Sequence, residues 1–451
     1  MAGGPADQVE RDDLSANEQS QDVVARFQAV DLGPDATRAF FGTLNQDEAA
    51  RVLEGLTEDT RAREVLLWLP REQSGLILAS IDPSNAARLV AELPSDERAD
   101  ILAAVEEERR AAIQAMLPVG VRHDAAKLLS YEPDTAGGLM ETEFVAYSAK
   151  ATVSDAIRDL RANQQKYAVI GVQYLYLLDE AGKLVGVAPI RDLMLAAEDS
   201  PLARLSVREP ASVRDVATLH EVAAVFDEHP YLALPVVDGA GKMLGVVSRA
   251  DATEGEQEEA EDDYRLSQGI VGGEELRSMP VGTRLRRRSA WLGVNLILCL
   301  GGAAIVAFNR DTIAKAIVVA AVLPVISATS GNAAMQAAAV SIRELTLGVI
   351  DPAAWRRVLM HELGLAGLIA VPLGGAVAVL SNLWGASWSI GAAVGTAMTL
   401  NAVIAIAIGA ICPLLLRRLS VDPALASGPI TTTLADVSGF ALTLGLVAIA
   451  T

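Results

Sequence analysis

A single charged residue, Asp436, stands inside the otherwise uncharged run from Pro423 to Thr451. An ionised carboxylate is costly in hydrocarbon, so it is expected to face water, a partner group or a cation. Residues four apart share one face of a helix, and Gly428, Thr432 and Asp436 make such a stripe: small residue, hydroxyl, carboxylate. That set suits contact with a hydrated cation; a carboxylate bonded to another helix for packing alone is the other reading. A second polar run holds Pro324, Ser327, Thr329, Ser330, Gly331, Asn332 and Gln336. Proline and glycine loosen a helix, and freed carbonyls are tolerated only beside protein or a cavity. Asn332 and Gln336 share a face and can offer neutral oxygens, although small and amide residues also simply hold helices together. Glu362 and Asn401 add two more polar side chains expected to face inward.

A different chemistry sits upstream. Asp251, Glu254, Glu256, Glu258, Glu259, Glu261, Asp262 and Asp263 crowd into one short segment. Packed carboxylates repel one another, and such blocks are often solvated tails. Hard divalent cations take carboxylate oxygens, and Mg²⁺ usually keeps several waters while using one or two carboxylates. Asp251, Glu254, Glu258, Glu259 and Asp262 are therefore candidates to hold Mg²⁺ against acidic faces elsewhere in the chain, with a solvated linker as the alternative. The four histidines (His123, His220, His229 and His361) are scattered, and neither a metal-ligand pair nor a nucleophile motif accompanies them. No enzyme is expected, and no catalytic residue is assigned.

The elements that must carry these residues divide the chain in two. Residues 281–451 have 11 Lys/Arg and 6 Asp/Glu, whereas the whole chain carries a formal charge of −20, so the first 280 residues are strongly acidic. An acidic chain of this kind is not expected to bind nucleic acid. The two cysteines, Cys299 and Cys412, exclude a disulfide scaffold or a cysteine-rich zinc site. No charged n-region with a following apolar run opens the chain, so a cleaved signal peptide is not expected.

A spanning helix needs about 20 apolar residues. Uncharged stretches support five spans, near 288–309, 313–341, 354–380, 387–416 and 425–450. Arg284 to Arg288, Arg343, Arg356 with Arg357, and Arg417 with Arg418 then fall on one side, which the bias of basic residues makes cytoplasmic. Trp291, Trp355, Trp384 and Trp388 sit at span ends, where such rings favour the interface. The N-terminus is expected inside and the C-terminus outside.

Two internal repeats organise the soluble part. Leu44 to Leu53 resembles Ile81 to Val90 at an offset of 37 residues, with a fainter echo at Asp124 to Leu129. Asp, Ser or Thr before each apolar run is a helix-start signal, and the period predicts a stacked superhelix of two short helices per repeat. Ala181 to Val187 with Asp192 matches Ala240 to Val246 with Asp251 at an offset of 59. Each copy reads as a glycine-turned hairpin followed by a helix. This pair resembles tandem CBS domains. The resemblance implies that Gly245-Val246-Val247-Ser248-Arg249-Ala250-Asp251 can hold a nucleotide ribose through Ser248 and Asp251. The first copy has Pro189 in place of the hydroxyl.

In order, these parts resemble the MgtE family of magnesium channels and transporters, over nearly all the chain after residue 35. The most specific string is Asp422-Pro423-Ala424-Leu425-Ala426-Ser427-Gly428-Pro429 with Thr432-Thr433-Leu434-Ala435-Asp436. Glu132-Pro133-Asp134-Thr135-Ala136-Gly137-Gly138-Leu139-Met140 and the run from Pro324 through Gly331-Asn332 to Gln336 are also family-like, although Ala328, Ser330 and Ala334 replace usual glycines.

The expected fold is a multidomain membrane protein: an all-α superhelical N domain, an α/β CBS pair and an α-helical transmembrane bundle of five spans. Its divisions are a disordered tail at 1–35, the helical N domain at 36–135, the CBS pair at 136–253, an acidic connecting (plug) helix at 254–283 and the membrane domain at 284–451.

The resemblance implies a homodimer in the inner or plasma membrane, with Asp436, Thr432, Gly428 and Asn332 along a Mg²⁺ pore. The cytoplasmic part would sense Mg²⁺ and close that pore, and an adenine nucleotide such as ATP would be a further ligand of the CBS pair. Two other readings stay open: an ion-coupled secondary transporter of a divalent cation such as Co²⁺ or Mn²⁺, and a membrane-anchored nucleotide sensor that transports nothing.

Overall fold

The computed structural model describes residues 24, 27, 32–56, 60–167, 171–208, 210–267, 279, 281–346, 348–419 and 421–451. Most of the tail expected at 1–35 and residues 268–278 of the expected connecting helix lie outside the described residues. The chain forms two compact units: residues 1–259 with 276–279, and residues 260–275 with 280–451.

The first unit opens with short helices joined by tight turns: α1 (Pro34–Phe41), α2 (Gln46–Gly55), α3 (Thr60–Trp68), α4 (Arg71–Ser80), α5 (Pro83–Ala91), α6 (Ser95–Ala103), α7 (Glu107–Met116) and α8 (Val119–Leu128). Local chemistry sets the starts. Asn45 caps the amide of Glu48 while Glu48 returns a bond to the Asn45 amide. Thirty-seven residues later, Asp82 caps Ser84 with Pro83 in the first turn. The repeat thus contains three helices (α2–α4 and α5–α7) rather than the two expected, and α8 opens a third copy. Connections of two to four residues, several set by Pro70, Pro83 and Pro94, fit an extra helix into the same period. Leu53, Leu66, Ile77, Leu78, Leu102 and Ile113 form the continuous core of this stack.

The second repeat, two sheet-bearing copies, follows with β1 (Ala146–Ser148), α9 (Val153–Ala162), α10 (Gln164–Tyr167), β2 (Tyr174–Leu178), β3 (Leu184–Pro189), α11 (Ile190–Leu195), β4 (Val207–Arg208), β5 (Val213–Arg214), α12 (Leu219–Glu228), β6 (Ala233–Val237), β7 (Met243–Ser248) and α13 (Arg249–Ser267). One sheet runs β1-β2-β3-β4 and the other β5-β6-β7. Both hairpins share one register: Tyr174 faces Pro189 as Ala233 faces Ser248. Their turns use Gly182 and Gly241 at φ of 78° and 81°, a left-handed backbone that glycine adopts without strain.

The second unit contains α14 (Val281–Phe308), α15 (Arg310–Lys315), α16 (Val318–Thr346), α17 (Trp355–Leu383), α18 (Trp388–Arg418) and α19 (Pro423–Ala450). Among the described residues, five helices are long and apolar enough to cross a membrane: Val281–Phe308, Val318–Thr346, Pro352–Leu383, Trp388–Arg418 and Gly428–Ala450. The second span starts later than expected, because Arg310–Lys315 forms a helix of its own and the backbone breaks at Ala316. Span α18 is the hub, packed against α16, α17 and α19. Small residues permit this closeness. A Cβ on Gly409 would lie 2.0 Å from the Ala334 carbonyl oxygen, so α16 and α18 touch backbone to backbone there.

Candidate functional site

Asp436 lies midway along α19, partly buried. Ser327 of α16 donates a hydrogen bond to its Oδ1 at 2.5 Å. No ion pair to Asp436 occurs among the described residues. One turn before it, Thr432 keeps its hydroxyl on the Gly428 carbonyl at 3.0 Å and on Pro429 at 3.2 Å. The Thr432 side chain also lies against Gly331 of α16. Gly428, Thr432 and Asp436 therefore follow one another along the helix beside α16, while Asn332 and Gln336 are exposed on the surface of the single chain. Ser327 was one of several polar residues in its run, and only the packing of α16 on α19 singles it out.

Asn401, expected to face inward as a polar candidate, has a different task. It is fully buried, donates through Nδ2 to the Ala435 carbonyl at 3.2 Å and accepts from Ser438 at 2.6 Å. It ties α18 to the turn of α19 that carries Asp436. A Cβ on Gly439 would come within 2.6 Å of its Nδ2, so glycine is needed there for the contact. Asn401→Leu strands buried polar groups, at a cost of about 1–3 kcal/mol. The melting temperature of the purified variant in detergent is expected to fall by several degrees.

The second constellation is acidic. Asp96, Glu141 and Asp251 bring carboxylate oxygens within 4.8 Å of one another. Each is held from its own element. Asp96 is in the first turn of α6. Glu141 is pinned to β7 by paired backbone bonds with Val246 at 2.8 and 2.9 Å, and the next residue, Thr142, donates its amide to Ser95 at 2.8 Å. Asp251 opens α13, where its carboxylate accepts from the Ser248 amide and the Ser248 hydroxyl accepts from the Asp251 amide. Asp96 Oδ1 is buried and has no hydrogen-bond partner among the described residues. An unpartnered buried carboxylate oxygen facing two more carboxylates is suited to a hard divalent cation that retains some of its waters.

Around this triad, Arg71 of α4 pairs with Asp100 of α6 at 3.1 Å and with Glu258 of α13 at 2.7 Å. Of the acidic residues expected to hold metal, Asp251 joins the triad, Glu254 adds its charge beside Glu97 and Asp100, and Glu258 meets Arg71. Glu259 is exposed, and Asp262 pairs with Arg265 on its own helix. The heptad spacing of 251, 254/255 and 258 selects one face of α13, which the residue count alone did not. Asp96, Glu97, Asp100 and Glu141 were not singled out from the sequence; their acidity was visible, but their meeting is tertiary.

Burial, reinforced by neighbouring carboxylates, pushes Asp96, Glu97 and Glu141 up to about 7. For Glu97 the Arg71 guanidinium works against that rise. The same burial raises Asp100 and Glu258 above the ordinary carboxylate range. The sign follows from linkage: the docked arrangement of α6 and α13 takes up protons that the separated one lacks. Protons therefore stabilise docking at low pH, and the benefit fades as pH rises through about 7. Without metal, α13 is expected to resist protease better at pH 6 than at pH 8. Cleavage in a chelator across that range checks it.

The helix cap uses both residues proposed for ribose, Ser248 and Asp251. Ser248 also lines a cleft with Gln173, Leu232, Arg249, Thr253 and Glu254. Beside the first copy, a cavity of about 530 Å³ is lined by Tyr174, Pro189, Ile190, Arg191, Tyr231 and others.

Comparison with known proteins gives matches over most of the chain. The profile of the MgtE family, described as a divalent cation transporter, matches residues 323–446; that of the MgtE intracellular N domain matches 32–134; and CBS domains match 136–199 and 202–256. A magnesium transporter MgtE from Thermus thermophilus is 33% identical over 329 residues, covering 72% of each chain. A magnesium transporter MgtE from Enterococcus faecalis is 32% identical over 313 residues, covering 69% of this chain and 68% of its own. A crystal structure of the soluble part of a magnesium transporter is 26% identical, with a TM-score of 0.46, over 54% of this chain and 94% of that one.

Proposed function

The chain belongs to the MgtE family of divalent cation transporters, and we propose that it carries Mg²⁺ across a cell membrane under control of its own Mg²⁺-sensing soluble unit. It acts as a transporter, with no catalytic chemistry. The observation that carries the transport reading is Asp436: a half-buried carboxylate in a spanning helix, met by one hydroxyl and without a counter-cation among the described residues. Such a group is retained at its desolvation cost where a cation passes.

Two copies of the chain would bring two Asp436 carboxylates to one axis, with Thr432, Gly428 and Asn332 alongside. Exposure of Asn332 on the single chain supports a partner or water at that face. A pair of close carboxylates repels itself, and a bound divalent ion relieves the repulsion. Mg²⁺ gives up its waters reluctantly, so a site of this kind handles it hydrated.

The soluble unit supplies regulation. Asp96, Glu141 and Asp251 take Mg²⁺, which removes the repulsion between α6 and α13 and favours the docked arrangement. When Mg²⁺ falls, the docked arrangement loses its ligand and its population drops, which is a two-state element biased by binding. This unit lies in the cytoplasm and the C-terminus outside, a reading supported by the basic flanks of the spans. An adenine nucleotide is a second ligand of the CBS pair, at the cleft beside Ser248; the capping role of Asp251 there leaves the ribose fewer free oxygens than the motif implies. Transport is tested by loading liposomes with the purified chain and measuring Mg²⁺ entry without a gradient of any second ion. Entry supports conduction. Dependence on H⁺ or Na⁺ would make it coupled, and none at all would leave a sensor without transport.

A further inference from the structure

We infer that Arg71 is a built-in cation that holds α13 onto the helical domain when no metal is bound, and so sets how much Mg²⁺ the sensor needs. The acidic interface between α6 and α13 has two halves. In one, Asp96, Glu141 and Asp251 face each other and, among the described residues, no basic side chain is bonded to them and Asp96 Oδ1 is unpartnered. In the other, a single guanidinium bridges the two elements: Arg71 Nη1 is 3.1 Å from Asp100 Oδ2 on α6 and 2.7 Å from Glu258 Oε2 on α13. Glu97 and Glu254 add their charges around it.

The bridge joins residues 187 positions apart in sequence, with all three side chains only partly exposed. Partial burial protects such a pair from screening, and the planar guanidinium can serve two carboxylates together. Arg71 thereby does in one half what a divalent ion does in the other. The two differ in one respect: a tethered side chain is always present, so its contribution does not vary with Mg²⁺. It keeps a fraction of the soluble unit docked in metal-free protein and reduces the work left for the ion.

The experiment is limited proteolysis of the full chain in detergent, following cleavage within 249–267, in a chelator and across a Mg²⁺ titration. In the chelator, Arg71→Gln is expected to be cut about 3-fold faster than the natural chain, as loss of a partly buried ion pair implies. Glu258→Gln, on the more exposed end, is expected to do the same. The exchange Arg71→Glu with Glu258→Arg restores the pair to α13 and should recover at least half of the loss. Saturating Mg²⁺ should protect Arg71→Gln as well as the natural chain, which separates a lost latch from a misfolded domain. If Mg²⁺ fails to do so, Glu258→Gln decides. Equal cleavage in the chelator for the natural chain and Glu258→Gln, or an exchange no better than the single variants, would overturn the latch. Because the chelator comparison involves no metal, it stands even if Mg²⁺ protects nothing and the sensor reading fails.

Discussion

Asp436→Asn is expected to abolish Mg²⁺ flux into liposomes, a fall of more than about a hundredfold or about 2.7 kcal/mol in barrier. The amide is nearly the same size and still accepts the hydrogen bond that Ser327 gives to Oδ1 at 2.5 Å. Packing between α16 and α19 is therefore preserved, and so is the tie from Asn401 to the Ala435 carbonyl. Only the charge is removed. If the carboxylate were there to join helices, flux would survive the change. If it meets the ion, a neutral oxygen cannot replace it, because attraction for a strongly hydrated divalent ion in a low-dielectric setting scales with ligand charge. Flux is to be measured with a Mg²⁺-sensitive dye at matched protein content.

The second large effect concerns the sensor. Replacing Asp96, Glu141 and Asp251 together by Asn, Gln and Asn should flatten the Mg²⁺ response, and flatten it at the protected level. Two consequences of the change act in different ways. Removing the ligands weakens Mg²⁺ binding at this site by more than about tenfold, equivalent to about 1.4 kcal/mol. Removing the charges also removes the repulsion that undocks α6 from α13, so the amides imitate the metal-loaded state. Protease protection of α13 is expected to be high in chelator and nearly unchanged by millimolar Mg²⁺. A variant that stays sensitive in chelator and still gains protection from Mg²⁺ would show that the metal acts elsewhere. The result also bears on pH: with these groups neutral, the difference expected between pH 6 and pH 8 should shrink.

What could be read from the residues was whatever repeats or is continuous. Five spans follow from unbroken apolar runs, and the offset of 59 recurs residue for residue as Tyr174–Leu178 on Ala233–Val237 and Leu184–Pro189 on Met243–Ser248. The offset of 37 was equally plain, but the number of helices inside it was not. Helices of nine or ten residues separated by a proline or a single turn leave no gap in the apolar pattern. The second span starts later than its apolar run suggests for a related reason: Arg310–Lys315 is helical without belonging to the span.

Sites were legible where chemistry and cost coincide. Asp436 stands out because a charge in an apolar helix requires a reason. Glu141 and Asp96 do not, since acidic residues in a strongly acidic soluble unit are unremarked until a backbone pairing with Val246 and a bond from Thr142 to Ser95 bring them to Asp251. Asn401 and Ser327 show the converse. Both were visible as polar residues in spans, yet one bonds the backbone of a neighbour and the other bonds the candidate ion ligand, a distinction made only by which helix each faces.

The most direct test is the rate of Mg²⁺ entry into liposomes as Mg²⁺ is varied on the side that exposes the soluble unit. Entry should be fast when that side is nearly free of Mg²⁺ and should fall steeply through the millimolar range. Entry that is absent at every concentration, or equally fast at all of them, would contradict a chain that both conducts the ion and is closed by it.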